Sequence, residues 1–341
     1  MKIAILANDG SPLGVTMKSV YGDDGRVGIG GAELALLTNC ETFHNAGYEV
    51  VLFNDPTDKY GSPFEQRGKD DFCPDEDWDA VIAFRSPNSR IHSFRGFKVW
   101  WSTDQYTIGK FDEFAPTVDK IVTISDFHAN YFRREYNIRN TITIDLPVRI
   151  DDYKQEIEKV RGRCIFTSVP DRGLQILHAA WPLIKRDFPD ASLVITSDYR
   201  LWGYIENNAQ HRLSWLHHLG VDFLGAIPRR ELVEEQLKAQ VHTYPCTYEE
   251  LACIAVMESQ VAGAWPVTTT MGALDTTNMG TKLEGNYQNP EWIEAFVSHV
   301  VSLLDNLELS DMQKDLQHKA IERFHPTNIL EQWETKVFNN G

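Results

Sequence analysis

The segment from Val241 to Thr269 reads VHTYPCTYEELACIAVMESQVAGAWPVTT and contains a strand, a helix and a second strand in succession. Short apolar runs at 241–245 and 265–269 predict two buried strands, and the helical spacing of apolar residues over 252–262 predicts the helix that joins them. Neighbouring strands joined by a helix are parallel, because the crossover returns the chain to the end of the sheet at which the first strand began. The segment therefore predicts an α/β fold.

The same alternation continues on both sides of this segment and repeats itself in the two halves of the chain. The second half adds predicted strands at 164–168, 192–197 and 221–224 and predicted helices at 173–187, 205–219 and 229–240. The first half has predicted strands near 2–7, 48–53, 79–84, 97–101 and 120–124 and predicted helices near 31–46 and 126–136. Further helical stretches near 290–305, 310–324 and 327–338 close the chain. Two doubly wound parallel-sheet domains are therefore expected.

A chain of 341 residues is long enough for two such domains at roughly 150 residues each. The sequence changes character around 145–153, and a charged run over 151–163 precedes the next clean strand. We therefore place the junction between residues 148 and 149, which gives domains 1–148 and 149–324. Ligands of open parallel sheets bind beyond the carboxyl ends of the strands, so we expect site residues just after strands.

Net charge and cysteine content exclude several classes of partner. Thirty-three Lys and Arg against 49 Asp and Glu give a net charge of −16, and such a surface repels phosphate backbones and anionic lipid head groups. Neither nucleic acid binding nor stable membrane insertion is expected, since no segment approaches the roughly 20 apolar residues that span a bilayer. The five cysteines are scattered without a Cys-x-x-Cys pair, which indicates reduced thiols, a cytoplasmic location and no structural zinc site.

A glycine-rich loop, GRVGIGGAE at 25–33, opens the first long predicted helix. Bare backbone amides at a helix N-terminus can bind phosphate, although a flexible loop with an ordinary glycine start explains the sequence equally well. The glycines stand about 20 residues beyond the first strand, whereas the dinucleotide fingerprint requires them directly after it. NAD is therefore not expected as a cofactor.

Two glutamates lie in the segment 241–269. Glu250 falls in the loop after a predicted strand, and Glu258 lies in the following helix with the apolar neighbours Ile254, Met257 and Val261. A carboxylate on an apolar face is costly unless it accepts hydrogen bonds. The residues alone leave two alternatives open: a pair of ligand-binding carboxylates, or a surface Glu250 and a Glu258 on the solvent side of its helix.

The run around these glutamates resembles the Glu-x7-Glu signature of glycosyltransferase family 4, the group 1 retaining enzymes. Glu250 and Glu258 have that spacing, and Gly263-Ala264-Trp265-Pro266-Val267 is similar to the Gly-x-Pro-Val strand that follows in the family. Ser168-Val169-Pro170-Asp171-Arg172-Gly173-Leu174 and Met271-Gly272-Ala273-Leu274 resemble one subgroup, which carries a Ser-x-Pro-Asp-Arg-Gly-Leu turn. The resemblance extends over most of the chain through three further motifs: Gly30-Gly31-Ala32-Glu33, Val122 to Phe127 and Leu146 to Asp151.

The resemblance implies the GT-B fold, in which two Rossmann-like domains face a cleft. The N-terminal domain 1–148 is then the acceptor side, the C-terminal domain 149–324 binds a nucleotide-diphosphate sugar, and the last helix, about 325–341, packs back on the first domain. The implied activity is transfer of the sugar to a hydroxyl of a glycan, protein or small-molecule acceptor with retention of anomeric configuration. The rival interpretations are a nucleotide-sugar epimerase, an inverting transferase and a binding protein without turnover.

The resemblance also implies roles for individual residues. Glu258 is expected to bind the donor ribose, Glu250 to contact the transferred sugar, and Arg172 to neutralise the diphosphate. The amides expected to complete the phosphate site are those of Gly30, Gly31, Gly272, Ala273 and Leu274. Because Arg172 carries the positive charge, neither a metal ion nor another cofactor is expected.

Two departures from the family pattern concern the positive charge and the sugar site. Many relatives carry a second cation five residues before Arg172, where this chain has Thr167, so Arg229 or Lys282 would have to replace it. In the first domain Asp104 is the candidate residue beside the transferred sugar, with Thr103 at the position that the family usually gives to His. A helix cap or turn carboxylate explains Asp104 equally well.

Overall fold

The structure, a computed structural model, describes residues 1–7, 14–105, 109–202 and 209–340. The chain forms two compact units: unit 1 comprises Met1–Pro147 and Phe324–Gly341, and unit 2 comprises Val148–Arg323. The predicted junction between 148 and 149 lies one residue from this boundary. No helix of the described part is long and apolar enough to cross a bilayer. The five cysteines, all of them in the described part, are free thiols.

Unit 1 contains a parallel sheet of seven strands. The strands are β1 (Lys2–Leu6), β2 (Glu49–Phe53), β3 (Glu65–Arg67), β4 (Ala80–Phe84), β5 (Phe97–Trp101), β6 (Lys120–Thr123) and β7 (Thr141–Thr143). The helices in this part of the chain are α1 (Met17–Tyr21), α2 (Gly31–Asn45), α3 (Phe111–Phe114) and α4 (Asp126–Tyr136). The order across the sheet is β3-β2-β1-β4-β5-β6-β7, and every neighbouring pair is parallel.

Unit 2 repeats this plan with six strands. The strands are β8 (Arg163–Phe166), β9 (Ser192–Ile195), β10 (Val221–Phe223), β11 (Val241–Tyr244), β12 (Trp265–Thr269) and β13 (Thr281–Leu283). The helices are α5 (Leu174–Asp187), α6 (Ala209–Trp215), α7 (Arg229–Lys238), α8 (Ile254–Val261), α9 (Leu274–Thr277), α10 (Pro290–Leu304) and α11 (Leu309–Phe324), and α12 (Pro326–Lys336) follows as part of unit 1. The sheet order is β10-β9-β8-β11-β12-β13, again parallel throughout.

The direction in which strands are added reverses once in each sheet. The reversal lies between β1 and β4 in unit 1 and between β8 and β11 in unit 2. β4 and β11 are buried at every position, as expected of central strands in a sheet that is covered on both faces. At such a reversal the connections leave in opposite directions and open a crevice beyond the carboxyl ends of the strands. These two places are where the sheets themselves leave room for a ligand.

The long apolar segments form the predicted strands and helices, with bounds that differ by a few residues. The sequence pattern does not predict the short edge strands β3, β7 and β13, because three residues rich in Thr, Gln or Lys carry no apolar period. The predicted helix at 205–219 is wrong beyond Trp215, where α6 ends and the chain leaves through tighter turns to Gly220, which has a φ of 72°. Residues 205–208 of that prediction lie outside the described residues.

The last helix, α12, packs against unit 1 through aromatic side chains. Pro326 lies in its first turn, and the His325 ring accepts a backbone hydrogen bond that caps the helix start. Trp333 is fully buried and lies edge-on to Phe43 of α2 and to Trp101 of β5, with ring centroids 5.6 Å and 5.5 Å apart. The end of the chain therefore contributes to the core of unit 1.

Replacing Trp333 by Ala should lower the free energy of unfolding of unit 1 by about 3 to 5 kcal/mol, because it removes a buried indole from contact with Phe43 and Trp101. Tyr60→Ala is the matched control in the same unit, since Tyr60 is 91% exposed and its loss should change stability by less than about 0.5 kcal/mol. Urea denaturation followed by circular dichroism measures both. Equal stability of the two variants would show that α12 does not belong to the core.

Candidate functional site

Arg172 lies in a turn directly beyond β8 and is held against the loop that follows β11. Gly173 closes this turn with a φ of 100°, and a Cβ on it would lie 2.0 Å from the carbonyl oxygen of Pro245. Only glycine therefore allows the two loops to approach so closely. The guanidinium carbon of Arg172 lies 3.4 Å from the ring centre of Tyr248, and its Nη1 lies 3.4 Å from Oε1 of Glu250.

Glu250 is fixed through both its side chain and its backbone. Its Oε1 accepts a hydrogen bond from the Tyr244 hydroxyl at 2.7 Å, and its side chain is only 14% exposed. Its carbonyl oxygen accepts from the Ala273 amide at 2.7 Å, and a parallel bridge pairs it with Gly272. Gly272 has a φ of 62°, and a Cβ there would lie 2.3 Å from the Glu250 carbonyl oxygen. The position of Glu250 thus depends on a glycine at 272.

Two groups that contact the Glu250 carboxylate, Arg172 and Tyr244, are both protonated at neutral pH. Burial opposes the charge on Arg172, but Glu250 together with Tyr244, Cys246 and Tyr248 outweighs burial, and the pKa of the guanidinium lies above its ordinary value. Burial raises the pKa of the Tyr244 hydroxyl well above its ordinary value, and the nearby Cys246 and Glu250 add to the shift. Arg172 therefore remains charged at neutral pH, and Tyr244 remains a hydrogen-bond donor.

Glu258 belongs to a second cluster, in which two carboxylates share one arginine. It lies on α8 and is only 4% exposed, so the solvent-facing alternative is wrong. Nη1 of Arg229 donates to its Oε1 at 2.7 Å, and Nε of the same arginine donates to Oδ2 of Asp152. Arg149 approaches Asp152 at 3.6 Å. Two arginines and two carboxylates thus form a neutral set, which compensates the burial of their charges.

The amides predicted to bind phosphate in unit 2 take part in the local backbone structure. That of Ala273 donates to the Glu250 carbonyl, and that of Leu274 lies 3.3 Å from the carbonyl oxygen of Met271. Gly272 stands between β12 and α9 in the left-handed conformation given above. Each amide has a single proton to donate, so a phosphate at this turn would compete with backbone acceptors.

The side chain of Thr167 contacts a histidine of β11. Its Oγ1 lies 3.4 Å from Nε2 of His242, and burial lowers the pKa of that histidine to about 3, so the ring is neutral. Of the two residues considered as replacements, Arg229 is engaged by Glu258 and Asp152, and Lys282 donates to the carbonyl oxygen of Asp275 at 2.6 Å.

In unit 1 the predicted glycines begin a helix beside a buried ion pair. Gly30 is the N-cap residue of α2, and Gly31 is its first residue. Glu33, in the first turn, accepts a hydrogen bond from Nη2 of Arg85 at 2.7 Å, and both side chains are largely buried. Arg85 directly follows β4 and has a φ of 68°, a strained backbone for a residue with a side chain. This pair marks the strand reversal of unit 1.

Asp104 follows β5 in a turn that local hydrogen bonds hold. Its Oδ1 accepts from the Gln105 amide at 2.7 Å, and its carbonyl oxygen lies 3.0 Å from Nε2 of His128. Nδ1 of His128 lies 3.4 Å from the Ile124 amide, which can only donate, so Nε2 carries the proton that the Asp104 carbonyl accepts. Burial lowers the pKa of His128 to about 3, so this ring is neutral. Oγ1 of Thr103 is buried, and no group of the described chain forms a hydrogen bond with it.

Sequence reasoning did not identify Tyr244, Arg85, Asp152 or His128 as parts of these clusters. Two of them carry a positional signal, because Tyr244 ends a buried strand and Arg85 is the first polar residue after another. The other two carry none, because Asp152 meets Arg229 across 77 residues of sequence and His128 meets Asp104 across 24.

Comparison with known proteins identifies a family that matches part of the chain and solved structures with a similar fold. Residues 162–306 match the protein family described as Glycosyl transferases group 1, whereas no curated protein matches the chain. The chain is similar to a solved sucrose-phosphate synthase from Thermosynechococcus elongatus, with 14% identity, a TM-score of 0.72 and 100% of both chains covered. It is also similar to Anabaena HepE in complex with UDP and glucose, with 14% identity, a TM-score of 0.69, and 99% of this chain and 100% of that chain covered. A third is WaaG, a glycosyltransferase involved in lipopolysaccharide biosynthesis, with 13% identity, a TM-score of 0.64, and 96% and 98% covered.

At these identities the structural likeness concerns the fold. It confirms the predicted class of two Rossmann-like parallel-sheet domains found in GT-B glycosyltransferases. The matched segment 162–306 includes Arg172, Glu250 and Glu258. Within the described ranges, no three His, Cys, Asp or Glu side chains are grouped as metal ligands.

Gly272→Ala should destabilise unit 2 more than Gly263→Ala, which is the matched control. The two glycines have similar φ values, 62° and 70°, so both replacements meet a left-handed backbone penalty of about 1 to 2 kcal/mol. Only at 272 does the new Cβ clash with the Glu250 backbone, since at 263 the nearest atoms lie 3.8 Å away. The clash should add about 1 to 3 kcal/mol, measured by urea denaturation. Equal losses would contradict the close approach of Gly272 to Glu250.

Proposed function

We propose that the chain is a glycosyltransferase that moves a sugar from a nucleotide-diphosphate donor to an acceptor hydroxyl with retention of anomeric configuration. The observation that carries this proposal is the Arg172–Glu250 pair, which lies beyond β8 and β11 at the strand reversal of unit 2. The match of residues 162–306 to group 1 glycosyltransferases supports the proposal, because that segment supplies both residues.

In this proposal Arg172 binds the diphosphate and Glu250 contacts the transferred sugar. A guanidinium presents five N–H donors in one plane, so Arg172 can keep its contact with Glu250 and also donate to phosphate oxygens. As the bond between sugar and diphosphate breaks, negative charge grows on the leaving phosphate, and a fixed guanidinium stabilises that charge. Oε1 of Glu250 accepts from Tyr244, and the carboxylate retains lone pairs for a sugar hydroxyl.

The other predicted residues complete the donor site of this proposal. Glu258 accepts hydrogen bonds from the ribose hydroxyls, and Asp104 lies beside the transferred sugar. In unit 1 the amides proposed for phosphate oxygens are those of Gly30 and Gly31. In unit 2 they are that of Gly272 and those of Ala273 and Leu274, which must then leave the carbonyl oxygens of Glu250 and Met271. Because a guanidinium supplies positive charge and neutral amides supply hydrogen bonds, the reaction is expected to need no metal ion and no further cofactor. The solved HepE complex contains UDP, which makes UDP the first donor nucleotide to test here.

A binding protein without turnover is the second candidate, and one observation favours it. Thr167 stands where relatives carry a second cation, and its side chain contacts the neutral ring of His242. A site with one arginine can still bind a nucleotide sugar but has less charge with which to stabilise a leaving diphosphate. Such a protein would bind the donor and release no free nucleotide with any acceptor.

A thermal-shift screen with UDP, GDP, ADP, CMP and dTDP should raise the melting temperature with at least one nucleotide. A ligand at 100 times its dissociation constant adds about 2.7 kcal/mol, which corresponds to a rise of several degrees for a unit of this size. The shift should disappear in Glu258→Ala and persist in Glu294→Ala, which removes an exposed glutamate of α10 in the same unit. A shift that survives in Glu258→Ala would remove Glu258 from the donor site.

Arg172→Ala should lower sugar transfer at least about a hundredfold, because it removes the charge that stabilises the leaving diphosphate. Turnover is measured as nucleotide released from the donor that binds, with glycans and small molecules as acceptors. Arg186→Ala is the control, since Arg186 is an exposed arginine of the same unit, and it should turn over at the normal rate. NMR of the product tests retention, and an inverted anomeric centre would contradict that part of the proposal.

A further inference from the structure

Arg229 is almost completely buried and joins two parts of unit 2 that are distant in sequence. It donates from Nη1 to Glu258 on α8 and from Nε to Asp152 in the segment that enters the unit. The side chains of Arg229, Glu258 and Asp152 are 6%, 6% and 12% exposed. Burial alone would lower the pKa of Arg229, but Glu258 and the other neighbouring groups outweigh it, so the pKa lies above its ordinary value. The guanidinium is therefore permanently charged.

We propose that Arg229 is a positioning residue for donor binding: it orients Glu258 so that Oε2 of that carboxylate accepts hydrogen bonds from the ribose diol. This inference rests on the proposed function. Oε1 is engaged by Nη1 of Arg229. Oε2 has no hydrogen-bond partner in the described part of the chain, and it is not among the atoms sealed from the surface. The free oxygen of an otherwise buried carboxylate is thus the one that a ligand can reach.

The two contacts of Arg229 explain why an arginine is needed here. A carboxylate rotates about the bond to its own side chain, so a single contact leaves its free oxygen poorly directed. Asp152 fixes the guanidinium through Nε, and the rigid planar group then fixes the direction of the Nη1–H bond toward Glu258. A lysine has one flexible ammonium group and cannot hold both carboxylates in this geometry.

This role differs from the replacement of the missing cation at Thr167. A residue that acts through Glu258 affects the ribose end of the donor. Its loss should therefore weaken the binding of nucleoside monophosphates and of diphosphates by the same factor. The loss of a residue that contacts the diphosphate should weaken the binding of diphosphates more than that of monophosphates. A ligand without ribose hydroxyls distinguishes these two roles further. Its affinity does not depend on the orientation of Glu258, because it has no hydroxyl for that carboxylate to bind.

The experiment is isothermal titration of the full chain with UDP, GDP and ADP, with the corresponding monophosphates, and with the 2′,3′-dideoxy form of each diphosphate. The variants are Arg229→Met, Arg229→Lys and Asp152→Asn. Arg163→Met is the matched control, because Arg163 also lies between two carboxylates of unit 2, Glu235 at 2.6 Å and Asp222 at 3.5 Å. Circular dichroism shows whether each variant is folded.

We expect Arg229→Met to weaken the binding of the ribonucleotide that binds the wild type roughly tenfold. The loss of affinity should be equal for the mono- and the diphosphate, and the affinity for the dideoxy form should not change. Such non-additivity between a protein change and a ligand change reports direct coupling. Arg229→Lys and Asp152→Asn should give the same pattern with smaller losses, and they carry the test if Arg229→Met does not fold. Arg163→Met should bind every ligand normally.

Three other results overturn the inference. An equal loss for ribo- and dideoxynucleotides, or a larger loss for diphosphates than for monophosphates, would remove Arg229 from the ribose site while the proposed function stands. If none of the ribonucleotides binds the wild-type protein, the proposed function itself fails and the inference fails with it.

Discussion

The two parallel sheets impose the constraint on which the rest of the structure depends: their central strands are covered on both faces, so the charged side chains of the site lie in the loops and helices that follow the strands. β4 and β11 are buried throughout, and the first charged contacts appear just beyond such strands. Each strand reversal carries one arginine paired with one glutamate. In unit 1 these are Arg85 and Glu33, and in unit 2 they are Arg172 and Glu250. The same topology thus produces the same kind of pair twice.

Loops lack the regular hydrogen bonds that fix helices and strands, so the site of unit 2 is fixed by close backbone approach instead. Gly173 brings the Arg172 turn against Pro245, and Gly272 brings its own loop against the backbone of Glu250. Each approach is shorter than any residue with a Cβ allows. The positions of the charged side chains therefore depend on these two glycines, and a site of this kind tolerates little change in its backbone.

The sequence predicts the helices and strands that have a strong apolar periodicity, and the site residues adjacent to them. The segment 241–269 predicts β11, α8 and β12 within about two residues, because apolar spacing determines which segments become buried. It failed for elements that depend on tertiary contacts, such as β13, whose three residues become a strand only beside β12. The surroundings of Glu258 could not be predicted either, because its partner Arg229 lies on another helix and Asp152 orients that arginine. Spacing places a carboxylate on a helix face, but only packing determines what it meets.

The charges of unit 2 nearly cancel within each cluster, and in the proposed mechanism this balance affects how strongly the unit attracts a diphosphate. Arg172 faces Glu250, Arg229 is shared by Glu258 and Asp152, and Thr167 contacts a neutral histidine. In the proposed mechanism, attraction for an intact donor therefore depends on directed hydrogen bonds more than on net charge. A carboxylate beside Arg172 lowers the positive potential both for an intact diphosphate and for the additional charge that would develop as the sugar departs. In the proposed mechanism only the gain in interaction as the sugar departs accelerates transfer, so the fixed position of Arg172 against Tyr248 and Glu250 matters more than the total charge of the site.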